Sequence, residues 1–89
     1  MERVAIFAKN WETANNTLME TFRGHREDAL YFKQGMFATD KIEFYAYEVN
    51  EGLRCRAFDV IWVDENLSIK DLEFIKNFRK NKDTSLIPF

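Results

Sequence analysis

The sequence predicts an α/β domain with a small, mostly parallel sheet, an antiparallel hairpin and two helices, and three observations carry that expectation. Val60-Ile61-Trp62-Val63 is an unbroken apolar run that stops abruptly at Asp64-Glu65. A short run of this kind, rich in β-branched residues, reads as a strand buried on both faces, as parallel strands are. Val4-Ala5-Ile6-Phe7-Ala8 is a second such run near the N-terminus, and the chain between the two is long enough to return parallel. Between them, Trp11, Ala14, Leu18 and Phe22 repeat at helical spacing, and the stretch from Ile42 to Val49 alternates as a strand does.

Taken in order, Asn10 offers a side-chain cap ahead of Trp11, and Gly24 suits the left-handed residue that ends a helix, so a helix is expected over 11–23. Ala29 to Phe32 and Met36 to Thr39 are short extended pieces around Lys33-Gln34-Gly35, and Asp40-Lys41 marks a tight turn. In the following strand Ile42, Phe44, Ala46 and Glu48 face one way. Glu43, Tyr45 and Tyr47 face the other, which is expected to be the wetter side. Asn50-Glu51-Gly52 makes a loop, and Leu53 to Arg56 leads into the central strand. Ser68 and Asp71 form a shortened capping box for a second helix, with Ile69, Leu72, Ile75 and Phe78 on one side. Arg79, Lys80 and Lys82 place positive charge at its end, where the helix dipole favours it. Asp83 to Phe89 either adds a last short strand or frays.

Eighty-nine residues make a single domain, 1–89, whose core is small for its surface. Hydrophobic residues at 46% and charged ones at 31% describe an ordinary globular chain. A net charge of −2 gives no general attraction to nucleic acid or anionic membrane. No apolar run approaches the roughly 20 residues of a membrane span, and the first residues lack the apolar stretch of a secretion signal. The lone Cys55 excludes an internal disulfide and suits a reducing cytoplasm. With one histidine, His25, the chain has no zinc site of histidine and cysteine.

Asp64 and Glu65 fall at the carboxyl end of a central strand, where open α/β sheets place their ligand crevices. Acids before a helix N-terminus are also favourable in themselves, with their side chains reaching water. Arg54 and Arg56, pointing the same way from an extended segment, are candidates for phosphate or for a partner's carboxylate, against the plainer reading of a solvated edge. Tyr45 and Tyr47 are candidate interface residues, against ordinary cross-strand packing.

Three stretches together resemble the middle of a phage terminase large-subunit ATPase. They are Met36-Phe37-Ala38-Thr39-Asp40-Lys41-Ile42-Glu43-Phe44-Tyr45-Ala46, then Gly52-Leu53-Arg54, then Phe58-Asp59-Val60-Ile61-Trp62-Val63-Asp64-Glu65. In that family a hairpin precedes a glycine/arginine loop and a Walker B strand ending in Asp-Glu. The resemblance implies a P-loop-ATPase-like half-core. It also implies that Asp64 would help hold Mg²⁺ at a triphosphate and that Glu65 would orient the attacking water. The other half is missing: a phosphate loop needs G-x-x-x-x-G-K-[ST], whereas Gly24, Gly35 and Gly52 stand far apart and none precedes lysine.

The expectation is therefore a small phage-encoded protein of the host cytoplasm. It would be non-catalytic, without a cofactor, and would interact with a protein partner or with itself as a homodimer. The resemblance also suggests that the strand beside Val60–Val63 is absent, leaving an apolar edge that either the chain's own Val4–Ala8 or Leu86–Phe89 segment or, as the favoured expectation, a second copy would cover. Two alternatives stay open: a nucleotide- or nucleic-acid-binding protein using Mg²⁺ and ATP through Asp64, Glu65, Arg54 and Arg56, and a subunit that completes an ATPase site in a complex.

Overall fold

The computed structural model describes residues 1–50, 52–54 and 56–89. Eight elements of regular structure follow in the order β1 (Glu2–Ala8), α1 (Trp11–Gly24), β2 (Tyr31–Lys33), β3 (Met36–Ala38), β4 (Ile42–Glu48), β5 (Val60–Val63), α2 (Ile69–Ile75) and β6 (Ser85–Pro88), with a single 3₁₀ turn, Lys76–Phe78, closing α2. They build one mixed sheet in the order β2-β3-β4-β1-β5-β6. The four strands β4, β1, β5 and β6 run parallel, and β3 and then β2 are added antiparallel at one side.

β1 is the centre because it is apolar on both faces. Val4, Ile6 and Ala8 join Leu18 of α1, Phe37 and Phe44 in one cluster, while Ala5 and Phe7 join Phe58, Ile61 and Ile75 of α2 in the other. The two helices thus cover opposite faces. Phe7, Ile6, Leu18, Phe37, Phe58, Ile61 and Ile75 are fully buried, and each such side chain contributes about 1.5–3 kcal/mol of transfer free energy.

α1 begins where Asn10 Oδ1 accepts from the Thr13 N–H at 2.9 Å, as its sequence signature predicts. It does not end through a left-handed Gly24. The capping residue is His25 at φ −119°, whose N–H donates to Phe22 O, and Gly35 alone among the described residues has a positive φ, +85°. The turn before β4 is built by the buried Thr39, whose hydroxyl accepts from both Lys41 N and Ile42 N at 3.2 Å.

The expected second strand is shifted, starting at Tyr31 rather than Ala29, and Leu53, Arg54 and Arg56 lie outside any strand. The capping box forms in full, with Asp71 N donating to Ser68 Oγ and Ser68 N to Asp71 Oδ2. Ile69, expected in the apolar stripe, is instead 79% exposed. α2 is only seven residues long and meets the core through Leu72 and Ile75, with Phe78 just beyond it.

The edge of β5 is covered from within the chain, by both of the segments weighed against a second copy: β1 flanks it on one side and β6 on the other. Phe89 clasps its end, with Phe89 N donating to Val63 O at 2.9 Å and Glu65 N to Phe89 O at 3.2 Å. The apolar strand is satisfied within the chain, so the ground for expecting a second copy at that edge is removed.

Candidate functional site

The connections that leave the carboxyl ends of β1 and β5 go to opposite faces of the sheet, so a crevice opens between them at the topological switch point. β1 passes to α1 through Lys9 and Asn10 alone, and β5 passes to α2 through Asp64 to Ser68. β4, paired with β1 on its other side, ends in Glu48 opposite Ala8. A cleft of about 360 Å³ lies here, lined among others by Lys9, Val49, Asn50, Ser68, Asp71 and Phe74.

Three charged groups around this crevice, Lys9, Glu48 and Asp71, are engaged within the chain. Glu48 Oε1 accepts from the backbone N–H of Trp11 at 3.0 Å, so an internal carboxylate occupies the free N-terminus of α1. Lys9 Nζ lies 3.3 Å from Asp71 Oδ2, tying the loop after β1 to α2. Burial works against the Asp71 charge, but donation from Lys9 and Ser68 outweighs it and holds the carboxyl below its ordinary pKa.

Asp64 and Glu65 part company. Asp64 is 7% exposed, and its Oδ1 accepts from the backbone N–H of Asn66 at 3.1 Å and from Asn66 Nδ2 at 3.3 Å. With Leu67 N donating to Asp64 O, this is a turn built on the aspartate side chain. The expectation that Asp64 reaches water is corrected: the sharp reversal after β5 folds the carboxylate back under Asn66. Glu65 is exposed. Among the described residues there is no group of three or more histidine, cysteine or acidic side chains placed to hold a metal ion.

The remaining candidates lie elsewhere. Arg54 and Arg56 are exposed, and Arg54 Nη1 donates to its neighbour Leu53 O at 3.2 Å. Cys55 between them, like Glu51 in the loop before, lies outside the described residues. Tyr45 and Tyr47 stack at 6.2 Å and meet the edge of Phe58 at 5.9 and 5.8 Å, and Tyr47 also stacks on Phe7 at 5.4 Å. Their face of β4 is half-buried under Phe58 and is the wetter of the two at these positions, since Phe44 and Ala46 on the other face are buried, as the alternation predicts. Burial, and after it the neighbouring Glu43 carboxylate, raise the Tyr45 hydroxyl pKa above its usual value.

Sequence reading missed Lys9, Glu48 and Asp71 as a crevice set. Their common signal is position: each directly follows, ends or caps an element at the same end of the sheet, which is visible only once the strands are known to be parallel. On the far side of the molecule, Asp59 is held low in pKa chiefly by the Arg3 N–H, which donates to its Oδ2 at 2.8 Å, with Lys80 adding to the effect. Compared with known proteins, the chain matches no family model, no curated sequence and no solved structure.

Proposed function

We propose that this chain is a non-catalytic interaction or regulatory module, phage-encoded and descended from a terminase-like ATPase core whose phosphate-binding half it lacks. The observation that carries the proposal is the turn from β1 to α1. It consists of Lys9 and Asn10, contains no glycine, and delivers α1 with the N–H of Trp11 taken by Glu48 and that of Thr13 by Asn10. A phosphate cradle needs a longer glycine-rich loop whose amides are free to face the ligand. Asp64, the residue the resemblance assigns to Mg²⁺, serves the turn into α2 instead. The chain then acts through its surface, with a protein as its partner.

Titration with Mg²⁺ and ATP tests the reading. No heat of binding, no rise in unfolding temperature and no phosphate release are expected. Saturable stabilisation following the ligand-linkage relation, lost in Asp64→Ala/Glu65→Ala, would replace it with the nucleotide-binding alternative. Stabilisation appearing only when a second protein is added would favour a subunit that completes a shared ATPase site.

A further inference from the structure

We infer that two copies of this chain associate through their β2 strands, pairing antiparallel about a two-fold axis at Phe32. The inference rests on the reading that the chain acts through its surface, and it names a second copy as one partner.

A six-stranded open sheet has two edges, and the chain treats them differently. At β6 the N–H and C=O of Phe89 both point to β5, so by alternation Ile87 and Ser85 point inward and Leu86 and Pro88 outward. Proline at an outward position removes a donor from the open edge, a common way of blunting it. β2 has no proline; what guards it is its three-residue length and Lys33, the residue that the pairing about Phe32 engages. All three of its residues are exposed, and Leu30, Tyr31 and Phe32, at 74, 53 and 46% exposure, are half of the exposed large hydrophobic side chains among the described residues. The Phe32 ring continues this patch onto α1 through Phe22, 4.6 Å away.

The strand is also complementary to itself. Lys33 Nζ lies 5.8 Å from the centre of the Tyr31 ring on its own strand. Antiparallel pairing centred on Phe32 sets Tyr31 opposite the second copy's Lys33, and Lys33 opposite the second copy's Tyr31. One face then alternates cation and ring across the axis, while the other brings two Phe32 rings together over the two Phe22 rings. Such an interface is closed, because each copy offers the same patch.

Light scattering across a dilution series, with the chain and with Tyr31→Lys, which sets like charges opposite one another across the pair, tests the association. Twice the mass of one chain is expected for the unaltered protein, falling by half in Tyr31→Lys while circular dichroism and the unfolding transition show that variant still folded. Position is tested separately with Phe32→Cys in a Cys55→Ser background. Directly opposed residues of an antiparallel pair have Cα atoms about 4.5–5.5 Å apart, within disulfide reach, so oxidation should give a covalent dimer. Ile69→Cys in the same background, on α2, should give none. A monomer at every concentration overturns the inference. So does a dimer that survives Tyr31→Lys and leaves Phe32→Cys uncrosslinked, which would place the contact on another surface, and so does an open-ended series of larger species. None of these outcomes touches the nucleotide titration, so either proposal can fail alone.

Discussion

The Glu48 carboxylate lies 3.0 Å from the backbone nitrogen of Trp11, so the last residue of β4 caps the first turn of α1. One contact thereby joins the hairpin to the helix and fills the position where a bound anion would sit. Replacing Glu48 by Gln keeps an acceptor and removes the charge, and should cost less than Glu48→Ala. The latter is expected to lower stability by about 0.5–1 kcal/mol, the usual worth of a carboxylate at a helix N-terminus. Urea unfolding at low and high salt checks this, since only the charge contribution is screened.

Gly35 should tolerate no side chain. At φ +85° a non-glycine residue is strained, and a Cβ there would come within 2.8 Å of the Trp11 ring. Gly35→Ala is expected to cost about 1–3 kcal/mol from the backbone and the collision together. In a Trp11→Ala background the same change should cost less, because only the backbone part remains. A double-mutant cycle measured by denaturant unfolding reads that difference.

Ile61 within β5 and the two acids that follow the strand should rank by their surroundings. Ile61→Ala, fully buried, is expected to cost about 2–5 kcal/mol. Asp64→Ala, which leaves the two Asn66 donors without their acceptor, should cost about 1–2 kcal/mol. Glu65→Ala should stay within about 0.5 kcal/mol, as an exposed change does. Asp64→Asn retains an oxygen acceptor for the turn and should be close to neutral. A loss as large as that of Asp64→Ala would mean the charge itself matters there.

Acid should weaken the fold partly through Asp59 and Asp71. Both carboxyls titrate below their ordinary value of 3.8 in the folded chain, so the unfolded state takes up protons first as pH falls. Their contribution is complete above the unfolded value and is lost as pH drops from about 3.8 through the lower folded values. Unfolding temperature measured across the acid range should fall less steeply in Asp59→Asn and in Asp71→Asn than in the unaltered chain, with both variants less stable than it near neutrality.

The sequence by itself determined the elements that depend on neighbours along the chain. Asn10 capping α1, Ser68 and Asp71 boxing α2, and the strands at Val4–Ala8 and Val60–Val63 all stand where local chemistry places them, the second buried at Ile61 and Val63 but only half-buried on the face of Val60 and Trp62. Each rests on a hydrogen bond or a periodicity spanning only a few residues. The fate of Gly24 was not legible, because a left-handed helix end competes with the 25–28 turn packed against Phe37 and Phe44. The wetter face of β4 was legible from its alternation, but the partner of Tyr45 and Tyr47 there was not: Phe58 meets both rings, and no local pattern ties it to β4. The tertiary structure alone decided the candidate site. Parallel pairing brings the ends of β1, β4 and β5 together and so sets Glu48 on α1 and Lys9 on Asp71. The same pairing order lays β6 along β5, closing an edge that the apolar run alone left open. Strand order and side-chain partnership across 37 or 62 residues of chain are settled by packing, since residues so far apart share no local constraint.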